Sequence, residues 1–154
     1  MDVKSIKNLM IAREFISVGT CDLDGRPNAA PKFILKIEAD SIYLVDYIIG
    51  RTFRNLSQNP RASLSFMDNN SLVGYQVNGT VAIIDSGKEY ENIIKELQQK
   101  KIDLSIKRII EGVERGKGHK NFEVVIPEQF VILKLKIEEL VELSPSGTLT
   151  REKV

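Results

Sequence analysis

An Asp-Gly turn between two runs of β-forming residues dominates the first third of this sequence. The first run is Phe15–Cys21, the second is Pro27–Ile37, and Asp22–Gly25 lies between them. Glycine tolerates the positive φ that tight hairpin turns need, so the pattern predicts an antiparallel hairpin. A second turn at 38–41 leads into another β-run over 42–46. Three antiparallel strands are therefore expected in this part of the chain.

Helical periodicity interrupts the β-pattern twice in the first half of the chain. Apolar residues near helical spacing over 3–13 predict a short leading helix. Phe53 and Leu56 lie three residues apart within 51–59, and this run stops at Pro60, so a helix of about two turns is expected there. The β-pattern then resumes over two segments, 61–67 and 73–84, and Gly79 is expected to form a bulge or a bend.

The second half begins with a helical excursion from the sheet. Apolar residues recur with helical spacing on both sides of a charged stretch, which predicts two helices between Ser86 and Gly112. Three glycines within seven residues predict a loop over 112–120. β-patterns return over 122–126 and 130–143. The polar residues from 144 onward are expected to be a frayed tail.

The elements together predict a mostly β chain with added helices. Six or seven antiparallel strands carry a short helix after the third strand and a helical excursion before the last strands. Such a chain removes its exposed edges by closing into a barrel. We expect one domain over 1–143, with a helical insertion at about 87–113 and a polar C-terminal tail over 144–154.

Charge and hydropathy exclude several classes of partner. Lys and Arg number 22 against 21 Asp and Glu, so the formal net charge is only +1. A charge this small favours neither nucleic acid nor a membrane surface. No apolar stretch approaches the ~20 residues that span a bilayer, and no signal peptide is visible.

The single cysteine and the single histidine limit the chemistry further. Cys21 cannot form an internal disulfide and favours a reducing, cytoplasmic setting. His119 is the only histidine, so no histidine-based metal cluster or catalytic triad can be built, and no metal site is predicted.

Three motifs follow one another along the chain. They are FISVGT at 15–20 with DGRPNAAP at 24–31, RTFRNL at 51–56 with NPRA at 59–62, and GYQVNGTV at 74–81. In this order and spacing they resemble the opening hairpin, the phosphate-binding helix with its following strand, and the long central strand of the pyridoxamine-phosphate-oxidase-like split barrels. The resemblance covers roughly residues 5–85 and the last strand. It implies a split β-barrel of FMN-binding type, a homodimer with FMN at the subunit interface, and flavin-dependent oxidoreductase activity on a small molecule.

The start of the short helix suits a phosphate group on physical grounds as well. Orphan N–H groups and the positive end of the helix dipole favour an anion there. Gly50 lets the chain turn, Thr52 can cap the helix or donate its hydroxyl, and Arg51 offers a planar fork for phosphate oxygens. The alternative is that Thr52 is only an N-cap and that Arg51 and Arg54 are solvated. The resemblance favours the phosphate site.

The resemblance also implies cofactor contacts on both sides of this helix start. Pro31, Lys32 and Phe33 would run along the isoalloxazine and its ribityl tail, while Asp46 and Tyr47 would line the cofactor cleft. The alternatives are an outward-facing lysine at 32, a core or interface phenylalanine at 33 and a structural tyrosine at 47.

Gln76 and Asn78 alternate on one face of the long strand. The resemblance implies that they hydrogen-bond the polar edge of the flavin. The alternative is that they lie on the solvated side of the sheet.

Two departures from the family limit the prediction of activity. The chain has no tryptophan and ends in a polar tail, so it lacks the Trp-Arg-containing motif that helps pyridoxamine-phosphate oxidases bind the vitamin phosphate. We therefore do not expect vitamin B6 oxidation, and the helical excursion also departs from the minimal barrel. The alternatives that stay open are a non-catalytic flavin carrier, an electron-transfer module, and a barrel that binds deazaflavin or haem.

Overall fold

The computed structural model describes residues 3–114 and 129–154. The elements follow one another as α1 (Val3–Ile11), β1 (Phe15–Cys21), β2 (Pro27–Glu38), β3 (Ser41–Asp46), α2 (Arg51–Gln58), β4 (Arg61–Asp68), β5 (Val73–Ile84), α3 (Gly87–Glu114), β6 (Val131–Leu143) and β7 (Leu149–Lys153). They fall into two compact units. One unit holds α1, α2 and the strands, and the other holds α3.

The strands form one antiparallel sheet in the order β3-β2-β1-β4-β5-β6-β7. A further pairing between β3 and β6 closes six of these strands into a barrel. Strand β7 pairs with β6 and stands outside the closed circle. The prediction of a mostly β chain that closes into an antiparallel barrel is confirmed.

The first hairpin forms as its Asp-Gly turn predicts. Gly25 has a φ of +83°, a conformation that a side chain would strain. The Asp22 carboxylate accepts hydrogen bonds from the N–H groups of Asp24 and Arg26, at 3.0 and 2.8 Å. This turn sets a register in which Thr20 lies opposite Asn28. Both of these residues later help to position the candidate site.

The barrel interior is filled by alternate side chains of the closing strands, which form one continuous apolar cluster. Helix α1 adds Ile6 and Met10 to it, four residues apart on one helix face. Each fully buried side chain of this size contributes about 1.5–3 kcal/mol to folding. Further members of the cluster are Ile16, Val18, Ile34, Leu44, Leu64, Val77, Leu133, Leu135 and Leu140.

A β-bulge interrupts the pairing of β5 with β6 at Gly79, as predicted for this glycine. Asn78 lies opposite Glu139 and Gly79 lies opposite Ile137, so Glu138 is the extra residue. A Cβ on Gly79 would lie 1.9 Å from the Lys136 carbonyl oxygen, so only glycine fits this crossing.

Two predictions on the second half of the chain are wrong. One continuous helix, α3, spans the stretch for which two helices were predicted. Part of the expected frayed tail forms β7, which pairs antiparallel with β6. Leu149 lies opposite Leu143 at one end of this pairing, and Lys153 lies opposite Glu139 at the other. The predicted strand 122–126 and His119 lie outside the described residues. None of the described helices is long and apolar enough to cross a membrane.

Candidate functional site

A small cleft of about 180 Å³ lies where β2, the end of β3 and the start of α2 meet. Its lining includes six of the nine residues predicted to bind the cofactor. They are Pro31, Lys32, Asp46, Tyr47, Arg51 and Thr52. Phe33, Gln76 and Asn78 do not line it.

Helix α2 begins at this cleft without a side-chain cap. Gly50 occupies the N-cap position, and its carbonyl accepts the first helical hydrogen bond, from the Arg54 N–H at 3.1 Å. The N–H groups of the three residues before Arg54 have no intrahelical acceptor, as in any helix start. The start of α2 therefore offers donors and a positive dipole end to a ligand in the cleft.

Thr52 is buried, and it does not act as the N-cap that the alternative interpretation required. Its hydroxyl oxygen accepts a hydrogen bond of 3.1 Å from the side-chain amide of Asn28 on β2. One helical turn later, the Asn55 amide donates to the Thr20 hydroxyl on β1, also at 3.1 Å. These two bonds fix α2 against the first hairpin. No local sequence pattern marks either asparagine, because only the tertiary fold brings them to their hydroxyl partners.

Arg51 is exposed at the rim of the cleft. Arg54 is also exposed but does not line the cleft. Within the described part of the chain neither guanidinium forms an ion pair. A cation with no ion pair among the described residues therefore lies beside the start of α2.

The alternative interpretation of Lys32 as an outward-facing lysine does not hold, because its side chain is buried. It is 5% exposed, Asp46 is fully buried, and the Lys32 Nζ lies 2.6 Å from the Asp46 Oδ1. The same Oδ1 accepts a hydrogen bond of 3.3 Å from the Ile48 N–H. The other carboxylate oxygen, Oδ2, is buried and has no hydrogen-bond partner among the described residues. An ion pair with one unsatisfied oxygen thus lines the cleft.

Three successive apolar side chains follow Asp46 on the connection to α2. Tyr47 is 37% exposed, Ile48 is 69% exposed and Ile49 is 51% exposed. Tyr47 and Ile48 line the cleft. A ligand that leaves the cleft on this side would meet apolar surface.

Gln76 lies on the same outer face of the sheet as Pro31 but far from it. The register places Pro31 opposite Ser17, Ser17 opposite Ser65, and Ser65 opposite Gln76. Three strand spacings of ~4.8 Å separate Pro31 from Gln76 by ~14 Å. A single small group cannot contact both residues, whereas an extended ligand or a second protein surface can.

Phe33 is 8% exposed, and its ring packs edge-on against Phe15 with a centroid distance of 5.7 Å. Its ring therefore packs within the fold, in agreement with the alternative of a core phenylalanine.

Asn78 lines a second, larger cleft of about 1040 Å³ on this outer face. Its amide nitrogen donates to the Glu139 Oε2 at 2.7 Å, and Arg151 holds the same oxygen at 3.0 Å. The bulge directs both Glu138 and Glu139 into this cleft. Asn28 is among the lining residues of both clefts. Among the residues described, no three His, Cys, Asp or Glu side chains are placed to hold a metal ion.

The chain is similar in fold to several solved structures. One is HupZ of Group A Streptococcus, with 22% identity and a TM-score of 0.68 over 97% of this chain and 99% of that chain. Another is a Clostridium acetobutylicum protein related to general stress protein 26 of B. subtilis, with 18% identity and a TM-score of 0.68 over 100% and 97%. A third is a pyridoxamine 5'-phosphate oxidase-related, FMN binding protein of Nostoc punctiforme, with 15% identity and a TM-score of 0.56 over 96% and 90%.

The solved structures that share this fold are named for different ligands. Besides the FMN binding protein, they include a heme binding protein of Mycobacterium smegmatis, with a TM-score of 0.63, and an F420 reductase, with a TM-score of 0.52. Their identities to this chain are 13% and 15%, so the likeness shows the fold alone. No curated protein matches the chain significantly.

The family described as pyridoxamine 5'-phosphate oxidase matches residues 3–142. This range contains β1 to β5, β6 except for Leu143, helix α2 and all nine predicted site residues. The chain belongs to the pyridoxamine 5'-phosphate oxidase family.

Proposed function

We propose that this protein binds FMN, with the phosphate at the start of α2, and that it is a flavin-dependent oxidoreductase acting on a small molecule. One observation carries the proposal. The uncapped start of α2, Arg51 and Asp46 all line one cleft, and among the described residues Arg51 has no ion pair and the Asp46 Oδ2 has no hydrogen-bond partner. Such a cleft suits a ligand that combines a phosphate with hydrogen-bond donors.

The phosphate would accept hydrogen bonds from the first N–H groups of α2 and from Arg51. The Thr52 hydroxyl already accepts from Asn28, which leaves its proton as a further donor. Backbone N–H groups at a helix start together with an arginine fork are a recurrent phosphate site.

The size of the small cleft limits how much of FMN it can hold. Its volume of about 180 Å³ is below the ~300–1,000 Å³ of a typical ligand pocket. The phosphate and part of the ribityl chain would therefore fill it. The ring would extend past Asn28 into the larger cleft, towards Asn78, which supports the predicted contact of this residue. When bound, FMN supplies hydride or electron transfer, and the protein supplies position and electrostatics.

A second copy of the chain would complete the site by covering the outer face of the sheet. One row of paired residues crosses the sheet from β4 to β7 and consists of Met67, Gly74, Leu143 and Leu149. The side chains of Met67, Leu143 and Leu149 are exposed. An exposed apolar row of this kind is typical of an interface. A two-fold axis would then place two equivalent flavin sites in one homodimer. The lone Cys21 supports a cytoplasmic setting.

The test is a titration of the apoprotein with FMN, followed by flavin fluorescence, together with the absorption spectrum of the protein as purified. We expect a dissociation constant in the micromolar range or below, which corresponds to ~8 kcal/mol. Light scattering with FMN present should give twice 17.4 kDa. No binding at millimolar FMN would refute the proposal, and a Soret band or a deazaflavin spectrum would replace FMN by one of the alternative cofactors. Reduction by NADH or NADPH coupled to turnover of an acceptor separates an enzyme from a carrier.

A further inference from the structure

Helix α3 carries two apolar faces, and only one of them is buried. Ile93 and Leu97 lie one turn apart on the first face, and each is 2% exposed. At about 100° per residue, Ile106 lies about 180° around the helix from Leu97. It belongs to the second face, the isoleucine face, which consists of Ile102, Ile106, Ile109 and Ile110. These four side chains are between 44% and 53% exposed, so the isoleucine face points away from the packed side of α3.

The isoleucine face has the spacing of a seam between two paired helices. Ile102, Ile106 and Ile109 are separated by four and then by three residues. This alternation places apolar side chains along one line of contact between two helices. Contiguous exposed apolar side chains mark a surface that binds another protein surface. The isoleucine face therefore fits the apolar seam of a second helix.

The residues beside the seam indicate which helix fits it. One flank carries Asp103 and Lys107, both of which are exposed. Asp103 accepts a hydrogen bond from the Gln99 side chain at 3.1 Å, and within the described part of the chain neither Asp103 nor Lys107 has an ion pair. The other flank carries Ser105 and Gly112. One flank thus holds an anion and a cation one turn apart, and the other holds small uncharged residues.

An antiparallel copy of α3 matches both the seam and the charged flank. In an antiparallel pair each flank faces the same flank of the other helix, whereas a parallel pair would set the charged flank against the small one. If Ile102 packs on the partner subunit's Ile109, the two-fold axis passes beside Ile106. Asp103 of each chain then lies within one residue of the partner's Lys107. These ion pairs set the direction of the pairing, and the isoleucines supply most of its stability, because exposed ion pairs contribute little.

We propose that the isoleucine face of α3 is a self-association surface. It binds α3 of a second copy in the antiparallel direction, about a two-fold axis near Ile106. This interface is distinct from the outer face of the sheet proposed to complete the flavin site, and it does not rest on the binding of FMN. It gives the helical excursion, which the minimal barrel lacks, a function in assembly.

The first experiment is cysteine cross-linking in the full chain, with Cys21→Ser as the background. In the antiparallel pair Ile106→Cys brings two thiols together at the axis, and oxidation should join two chains. Ile102→Cys is the matched control from the same face, because its two copies would stand about 10 Å apart along the helix axes. This separation exceeds the ~4.4–6.8 Å between the Cα atoms of a disulfide, so Ile106→Cys should cross-link about ten-fold faster or more.

The second experiment is sedimentation of Ile106→Glu without FMN, in a Leu149→Glu background that places a charge in the apolar row of the sheet. Two carboxylates at the axis repel each other, so the dissociation constant of the α3 pair should rise on the order of a hundred-fold. The matched control is Leu23→Glu, at a side chain that is 73% exposed in the first hairpin turn. It should leave the association unchanged.

Each outcome decides the inference without deciding the proposed function. Cross-linking of Ile106→Cys alone, with loss of association in Ile106→Glu, supports the antiparallel pair even if FMN does not bind. Equal cross-linking of Ile102→Cys and Ile106→Cys indicates a parallel pair or random collision and overturns the inference, as does no cross-linking of either. If Ile106→Glu lowers the free energy of unfolding of a monomer, the isoleucine face is covered within its own chain, and the inference is wrong. In all of these cases titration with FMN still tests the proposed function.

Discussion

Arg51→Ala should weaken the binding of FMN about ten-fold and leave the binding of riboflavin nearly unchanged. The side chain is exposed at the rim of the small cleft and has no ion pair within the described residues. Its removal should therefore change the free energy of unfolding by less than ~0.5 kcal/mol. Any loss of affinity then reports on the ligand and not on the fold.

The size of the effect follows from the exposure of the guanidinium. A hydrogen bond to a charged group contributes ~1.5–3 kcal/mol, and a factor of ten in the dissociation constant is ~1.4 kcal/mol. Solvent screening at an exposed site places Arg51 at the lower end of this range. Riboflavin has no phosphate and so loses nothing.

The assay is quenching of flavin fluorescence at fixed ionic strength, with Arg54→Ala as the matched control. Arg54 has the same charge, lies one helical turn further along α2, is exposed and does not line the cleft. Its replacement should cost less than about three-fold, because only screened long-range attraction is lost. Equal weakening of FMN and riboflavin in Arg51→Ala, or equal losses in the two variants, would refute the placement of the phosphate.

Two further predictions concern the stability of the barrel. Gly79→Ala places a Cβ 1.9 Å from the Lys136 carbonyl oxygen and should lower the free energy of unfolding by ~3 kcal/mol. In Gly74→Ala, on the same strand, the new Cβ meets only the flexible Leu143 side chain, at 3.3 Å. This variant should lower the free energy of unfolding by less than ~1 kcal/mol. Urea denaturation measures both, and equal costs would show that the bulge adapts. Burial, then the negative charges of Glu142 and Asp68, raise the pKa of Tyr75 above its ordinary value of 10.0. Ionisation of Tyr75 therefore favours the unfolded chain. The contribution of Tyr75 to stability should be constant below pH 10 and should fall as the pH rises through the raised pKa. Tyr75→Phe keeps the stacking on Phe66 and should remove part of this fall; an unchanged pH profile would contradict the shift.

The predictions that hold depend on local signals. The positive φ of Gly25, the stop at Pro60 and the bulge at Gly79 each follow from the backbone chemistry of one residue. The prediction of two helices in place of α3 is wrong because it treats the polar stretch Gln98–Lys101 as a break. Glutamine and lysine are good helix formers, and neither glycine nor proline lies there.

Strand β7 could not be predicted from its own composition. All five of its residues are exposed, so no apolar alternation marks it. Its order comes from the hydrogen bonds that β6 offers beyond the closed barrel, and that partner is set by the tertiary fold.

The candidate site was predicted in its parts but not in its pairing. Asp46 and Tyr47 lie a few residues before Arg51 and Thr52 in the sequence, so the sequence alone predicts that these four residues share one site. The ion pair of Asp46 with Lys32 depends on the register of two strands. In the structure Phe33 lies opposite Val45, so the adjacent residues Lys32 and Asp46 become neighbours across the two strands.

The extra residue in β6 determines how this strand is compared with its relatives. Before the bulge, Leu135 and Ile137 point into the barrel; after it, Leu140 does, so the inside positions change from odd to even numbers. A relative without the bulge would have one residue fewer between the same two buried positions. An alignment of the two must open its gap at Glu138. A gap placed before Ile137 or after Leu140 would match inward residues with outward ones along part of the strand.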